Sequence, residues 1–151
     1  MNATTTTTSM LTSTSSHHVL RTAALTTGAA LAANLAVFGL ARARNVSFLF
    51  PQPGSANGTQ TVTAASVAVA TLITMILGWA IAARGASHHR PTLQTMAILG
   101  AGIALVSTVA PLTLHAGISV KVTLASLHLI TGGLYVAGIA ALLRTNTGVA
   151  R

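Results

Sequence analysis

The sequence predicts an all-α fold: a four-helix transmembrane bundle behind a disordered Thr/Ser-rich N-terminal tail. Three observations predict it. Only 5% of the 151 residues are charged, against about a quarter in soluble domains, and 52% are hydrophobic, with a mean hydropathy of +0.72. The apolar residues collect in four long runs with short polar breaks, matched to a hydrocarbon core about 30 Å thick. The eight Lys and Arg residues stand at the ends of those runs. The length is that of one domain.

Residues 1–18 carry the Thr/Ser tract, including Thr4 to Thr8, and are too polar to offset the entropy of ordering them, which predicts a disordered tail. A competing reading takes Arg21, the Ala-rich run and Ala41-Arg42-Ala43 as a cleavable signal peptide, but that apolar run exceeds the usual h-region. Residues 19–144 then form the transmembrane domain. Its first helix, about 22–41, is framed by Arg21 and by Arg42 and Arg44, and carries Asn34 near its middle. The loop that follows pairs Phe48-Leu49-Phe50-Pro51 with Pro53-Gly54 and Asn57-Gly58, a segment expected to dip into the interface and turn back.

The second helix, 61–83, is uncharged and about 35 Å long at about 1.5 Å per residue. Trp79 near its end is expected at the membrane interface, before a short loop of Arg84, His88, His89 and Arg90. Pro91 suits the first turn of a third helix, 92–114, whose last turn Pro111 is expected to kink or end. The fourth helix, 120–143, is interrupted only by His128, and residues 145–151 form a short C-terminal tail.

The complete absence of Asp and Glu removes carboxylate acid/base pairs, Ser-His-Asp triads, carboxylate-bound Mg²⁺ or Ca²⁺ and carboxylate proton relays. The absence of Cys removes disulfides, thiolate nucleophiles and Cys-ligated metals. No catalytic residue, metal ligand set or cofactor is assigned, and the chain is expected not to be an enzyme. The formal charge of +8 is scattered without clustering or interleaved aromatics, so nucleic acid is not an expected partner. Anionic lipid headgroups are, with Arg21, Arg84, Arg90 and Arg144 as the expected contacts.

The polar intramembrane positions are Asn34, Ser107 and His128. An ionisable side chain within a span is costly and marks a functional-site candidate. His128 therefore reads either as a ligand, relay or pocket residue, or as a neutral imidazole hydrogen-bonded to a neighbouring helix through Asn34, Ser107 or Thr108. His115 at the end of helix three lies on the same side and offers a bis-imidazole alternative for haem. The His88-His89 pair reads as headgroup-level surface. Small residues four apart, such as Ala29/Ala33, Ala32/Ala36 and Gly133/Ala137, allow close helix approach within the chain or between copies.

The order of Asn34, Ala41-Arg42-Ala43-Arg44-Asn45-Val46-Ser47-Phe48, Gly78-Trp79, Ser107 with Ala110-Pro111-Leu112, and Leu127-His128-Leu129 resembles the small bacterial four-helix membrane proteins of domain of unknown function 6069, over about residues 20–144. That family's pattern often has Gly before Val-Ser-Phe, where this chain has Asn45. The resemblance implies a four-helix architecture and a bacterial membrane location, and implies no activity.

The leading functional expectation is a non-enzymatic accessory or scaffold subunit locked by Asn34, Ser107 and His128, working with copies of itself or with another membrane protein. The alternative is a small-molecule transporter or ligand-binding protein with a polar midplane pocket at the same three residues. A haem- or quinone-binding protein is the third. Four-helix multidrug exporters rely on a membrane-embedded glutamate that this chain lacks. Arg21, Arg84, Arg90, Arg144 and Arg151 on the terminal side outnumber Arg42, Arg44 and Lys121 on the other, which predicts cytoplasmic termini in a bacterial cytoplasmic membrane.

Overall fold

The computed structural model describes residues 5–51, 58–86 and 90–145. It contains four helices, α1 (Thr5–Ala43), α2 (Ala64–Ala86), α3 (Arg90–Leu112) and α4 (Ile118–Thr145), with a hairpin of β1 (Leu49–Pro51) and β2 (Thr59–Thr61) between α1 and α2. All four helices contain a stretch long and apolar enough to cross a membrane, and the chain is a multi-pass membrane protein.

α1 is described from Thr5, and its membrane-length apolar part is His17–Ala43. One boundary corrects the expectation from sequence. α2 begins at Ala64 rather than near Thr61, because Thr61 belongs to β2 and Thr63 caps the helix. The Thr63 hydroxyl accepts from the Ser66 backbone N–H at 3.1 Å while the Ser66 hydroxyl accepts from the Thr63 N–H at 2.9 Å. That is a capping box with Ser in the usual place of Glu or Gln. Residues 146–151, most of the C-terminal tail, lie outside the described residues.

The exit of α1 is a Schellman turn. Asn45 N–H donates to the Arg42 carbonyl at 3.0 Å and Val46 N–H to the Ala41 carbonyl at 3.1 Å. The turn requires a left-handed residue, and Asn45 supplies it at φ 59°, the conformation that Asn tolerates best after Gly. The next residues enter the hairpin, which pairs Leu49 with Thr61, Phe50 with Gln60 and Pro51 with Thr59. Alternation turns Phe48 and Phe50 inward, where Phe48 lies 4.7 Å from Phe38 between ring centroids. The loop therefore packs on the bundle as a small sheet rather than only dipping into the interface.

Buried positions recur three and four apart along the helices: Ala30, Asn34, Phe38 and Ala41 on α1, and Val67, Thr71, Met75, Trp79 and Ala82 on α2. They form two apolar clusters. One, toward the termini, includes Ala30, Met75, Trp79, Ala82, Ile139 and Leu142. The other, toward the hairpin, includes Phe38, Phe48, Phe50, Val67, Val120 and Leu127. Trp79 is buried rather than interfacial: its indole N–H donates to the Thr26 hydroxyl at 3.1 Å and its ring fills the space over Gly138. An internal acceptor on α1 satisfies the N–H that would otherwise hold the indole at the headgroups.

α1 packs on both α2 and α4, and α4 packs most extensively on α3, whereas α2 and α3 meet over a small area. The bundle is thus a row, α2–α1–α4–α3, bent round so that its outer members approach without closing. α3 ends at Leu112, with Pro111 in its last turn, and leaves Ile98, Ile103 and Val106 on the outer surface. Its attachment to α4 depends on Gly132, where an added Cβ would fall on the Ala104 side chain. Gly132→Ala is therefore expected to destabilise the detergent-solubilised protein by about 1–3 kcal/mol. Gly133→Ala, next to it but facing open space, should leave thermal unfolding unchanged or slightly raised. Equal unfolding of the two variants would contradict this packing.

Candidate intramembrane binding cavity

Between the two apolar clusters lies one polar layer. The Asn34 side-chain amide on α1 donates to Thr71 Oγ1 on α2 at 2.9 Å and to Thr131 Oγ1 on α4 at 2.8 Å. Both hydroxyls hand their own protons down their helices, Thr71 to the Val67 carbonyl at 2.8 Å and Thr131 to the Leu127 carbonyl at 2.9 Å. This fixes the direction of the bonds, since the hydroxyls have only lone pairs left to offer the amide. Asn34 is 1% exposed, and its Oδ1 has no hydrogen-bond partner. A buried acceptor in that state costs about 1–3 kcal/mol.

The layer forms the base of a cavity of about 560 Å³ in the crevice between α2 and α3, floored by α4. Its walls are apolar, formed by residues such as Met75, Ile81, Leu99, Ile103 and Leu127, and Ile81, Leu99 and Ile103 are exposed on the outer surface. The crevice is therefore open sideways, toward the bilayer. The Tyr135 ring of α4 lies against Gly78 of α2 on one edge and Gly100 of α3 on the other; a Cβ at either glycine would press on it. Trp79 meets the same ring edge-on at 5.7 Å, and the phenol makes a long 3.4 Å contact with the Gly78 carbonyl. Tyr135 thereby stands across the crevice between α2 and α3.

All three polar positions expected from sequence line this cavity: Asn34 at its base, Ser107 on the α3 wall and His128 on α4. Their roles differ from the expected mutual locking. Only Asn34 bonds across helices. Ser107 and Thr108 donate to the Ala104 carbonyl of their own helix at 3.0 and 2.7 Å. His128 is exposed and makes no hydrogen bond among the described residues. It also lines a shallower groove beside the hairpin, shared with His115, Pro111, Phe50 and Gln60, so the two histidines border the same surface hollow. Among the described residues no three His, Cys, Asp or Glu side chains gather as a metal site.

Arg21, Arg84 and Arg144 lie exposed toward the terminal end of the bundle, while the Arg90 side chain, His88 and His89 fall outside the described residues. Thr71, Thr131 and the Tyr135 wedge do not stand out in the residue pattern. A Thr within a span satisfies itself on its own helix and gives no outward signal. The usable clue was depth, since Thr71 and Thr131 lie at the level of Asn34 in antiparallel helices.

The chain matches the model of a family of unknown function, DUF6069, over residues 14–145. No curated protein and no solved structure matches it.

The two Asn34 bonds carry a measurable expectation. Asn34→Ala should lower stability in detergent by about 1–3 kcal/mol, and a double-mutant cycle with Thr131→Val should return a coupling of about 0.6–1.7 kcal/mol. His128→Leu should leave unfolding almost unchanged, because no interhelical bond is lost. A loss as large as that of Asn34→Ala would contradict the geometry.

Proposed function

Because the chain belongs to the family of unknown function DUF6069, which brings no activity with it, we propose its role from the cavity itself: it binds a small amphipathic molecule drawn sideways from the bilayer. The observation that carries the reading is the meeting of Asn34, Ser107 and His128 in one cavity of about 560 Å³. That size lies within the range of small-molecule sites, which pair apolar walls with a few polar groups. The scaffold reading fits less well. Ser107 spends its proton on its own helix and His128 has no bond among the described residues, so neither holds the bundle together.

The reading is non-enzymatic, since the lining offers hydroxyls, amides, one phenol and one imidazole but no carboxylate or thiol to form an acid/base or nucleophilic pair. The terminal side has the larger share of Arg, so we orient the termini toward the cytoplasm of a bacterial inner membrane, with Arg21, Arg84 and Arg144 among anionic headgroups. A reporter fused after Arg151 should then be active in the cytoplasmic form only; an externally active fusion reverses the orientation.

Native mass spectrometry of the protein, extracted from its host membrane in mild detergent, tests the binding reading directly. A reproducible adduct of small-molecule mass is expected. It should disappear in Thr74→Trp, which fills the crevice from an exposed wall position without touching the Asn34 bonds. Adducts that are absent from the unsubstituted protein, or that survive the filling, would remove the reading.

A further inference from the structure

The polar groups at the middle of the cavity share one property that narrows what it can hold. The hydroxyls of Thr71, Thr74, Ser107 and Thr131 each donate to a carbonyl of their own helix, at 2.8, 2.8, 3.0 and 2.9 Å. Each has a single proton, so toward the cavity these side chains present lone pairs only. Asn34 has spent both amide protons on Thr71 and Thr131, and its remaining atom, Oδ1, is a buried acceptor without a donor. The middle of the cavity is therefore an acceptor-only surface with a missing donor at its base.

We propose that the site selects an uncharged amphipath whose head donates hydrogen bonds, a hydroxyl-headed lipid-like molecule. This rests on the binding reading above and names its ligand class. An anionic head at the middle of the cavity would face lone pairs, the remaining N–H donors of the lining being those of His128 on α4 and Gln60 on β2. A cationic head would enter a low-dielectric cavity in a chain that has no carboxylate side chain and a formal charge of +8. A neutral hydroxyl meets neither penalty. Its proton goes to the oxygens of Thr74 and Ser107, above the layer in which Asn34 Oδ1 stands without a donor. The tail lies along Leu99 and Ile103 and leaves through the gap between α2 and α3.

The test uses the full chain in phosphatidylcholine nanodiscs and three probes of equal chain length: dodecanol, its O-methyl ether and dodecanoate. Affinities are expressed per mole fraction in the membrane, so that unequal partitioning cancels. Dodecanol should bind about 3–10-fold more tightly than the ether, the value of one or so net hydrogen bonds, and more tightly than dodecanoate. In the double variant Ser107→Ala, Thr74→Ala the alcohol's advantage should shrink toward unity while ether binding persists; both hydroxyls bond only within their own helices, so folding is not at stake. Equal binding of alcohol and ether overturns the donor rule while leaving the cavity as a binding site. Tighter binding of dodecanoate overturns it in favour of an anion held through His128. No probe binding at all, with Thr74→Trp indistinguishable from the unsubstituted protein, overturns the binding reading together with the inference. A crevice filled by a second copy would appear as a dimer that Thr74→Trp dissociates, and overturns both as well.

Discussion

The amide of Asn34 is the constraint on which the arrangement depends. In hydrocarbon no water is present to receive its two protons, and leaving them unpaired is costly, so α1 must meet acceptors on neighbouring helices at one depth. It finds Thr71 on α2 and Thr131 on α4. Apolar packing alone is a weak guide inside a bilayer, because lipid tails satisfy a leucine as well as another helix does. The two hydrogen bonds supply the register that the apolar clusters on either side cannot, and they tie α1 to both of its neighbours in the row.

α3 takes no part in that layer, and the cavity follows from this. It is held by close approach to α4, at Gly132 and Ala104, and by the loop of residues 113–117. Where the two outer helices come nearest, the Tyr135 ring stands between Gly78 and Gly100 and acts as a spacer. Toward the hairpin no equivalent wedge among the described residues fills the crevice, so the space above the Asn34 layer stays open.

Much of the fold is legible in composition and run length, since four uncharged stretches bounded by Arg or Lys leave little choice of architecture. Asn34 and His128 are legible for the same reason: polar groups stand out against an apolar run. What the residues do not announce is whom they bond. Ser107 and His128 read as possible locks like Asn34, yet Ser107 turns to its own helix and His128 to the cavity, a difference set by helix rotation rather than by residue type. Trp79 reads as interfacial because a span end usually means interface, whereas Thr26 and the bare backbone of Gly138 give this indole a seat inside. The hairpin is not legible in the residues because its strands are three residues each, too short for alternation to register. The left-handed turn at Asn45 is the reverse case, a conformation that this residue type tolerates well.

The same economy that lets a chain without Asp or Glu fold in a bilayer also sets the chemistry of its cavity. A Thr or Ser within a span is tolerated because it gives its proton to the carbonyl four or three residues back, and this chain uses that device repeatedly. Each such bond settles the hydroxyl's donor and leaves its lone pairs facing outward. Where those lone pairs face lipid they go unused at small cost. Where Thr71 and Thr131 face Asn34 they receive its protons, and the helices are joined. Where Thr74 and Ser107 face the crevice they line an apolar space with acceptors, so helix-internal satisfaction, not any dedicated motif, gives the cavity its polarity. With no carboxylate to bring in a compensating cation and no fixed positive charge in the lining, the remaining partner of matching chemistry is a neutral donor.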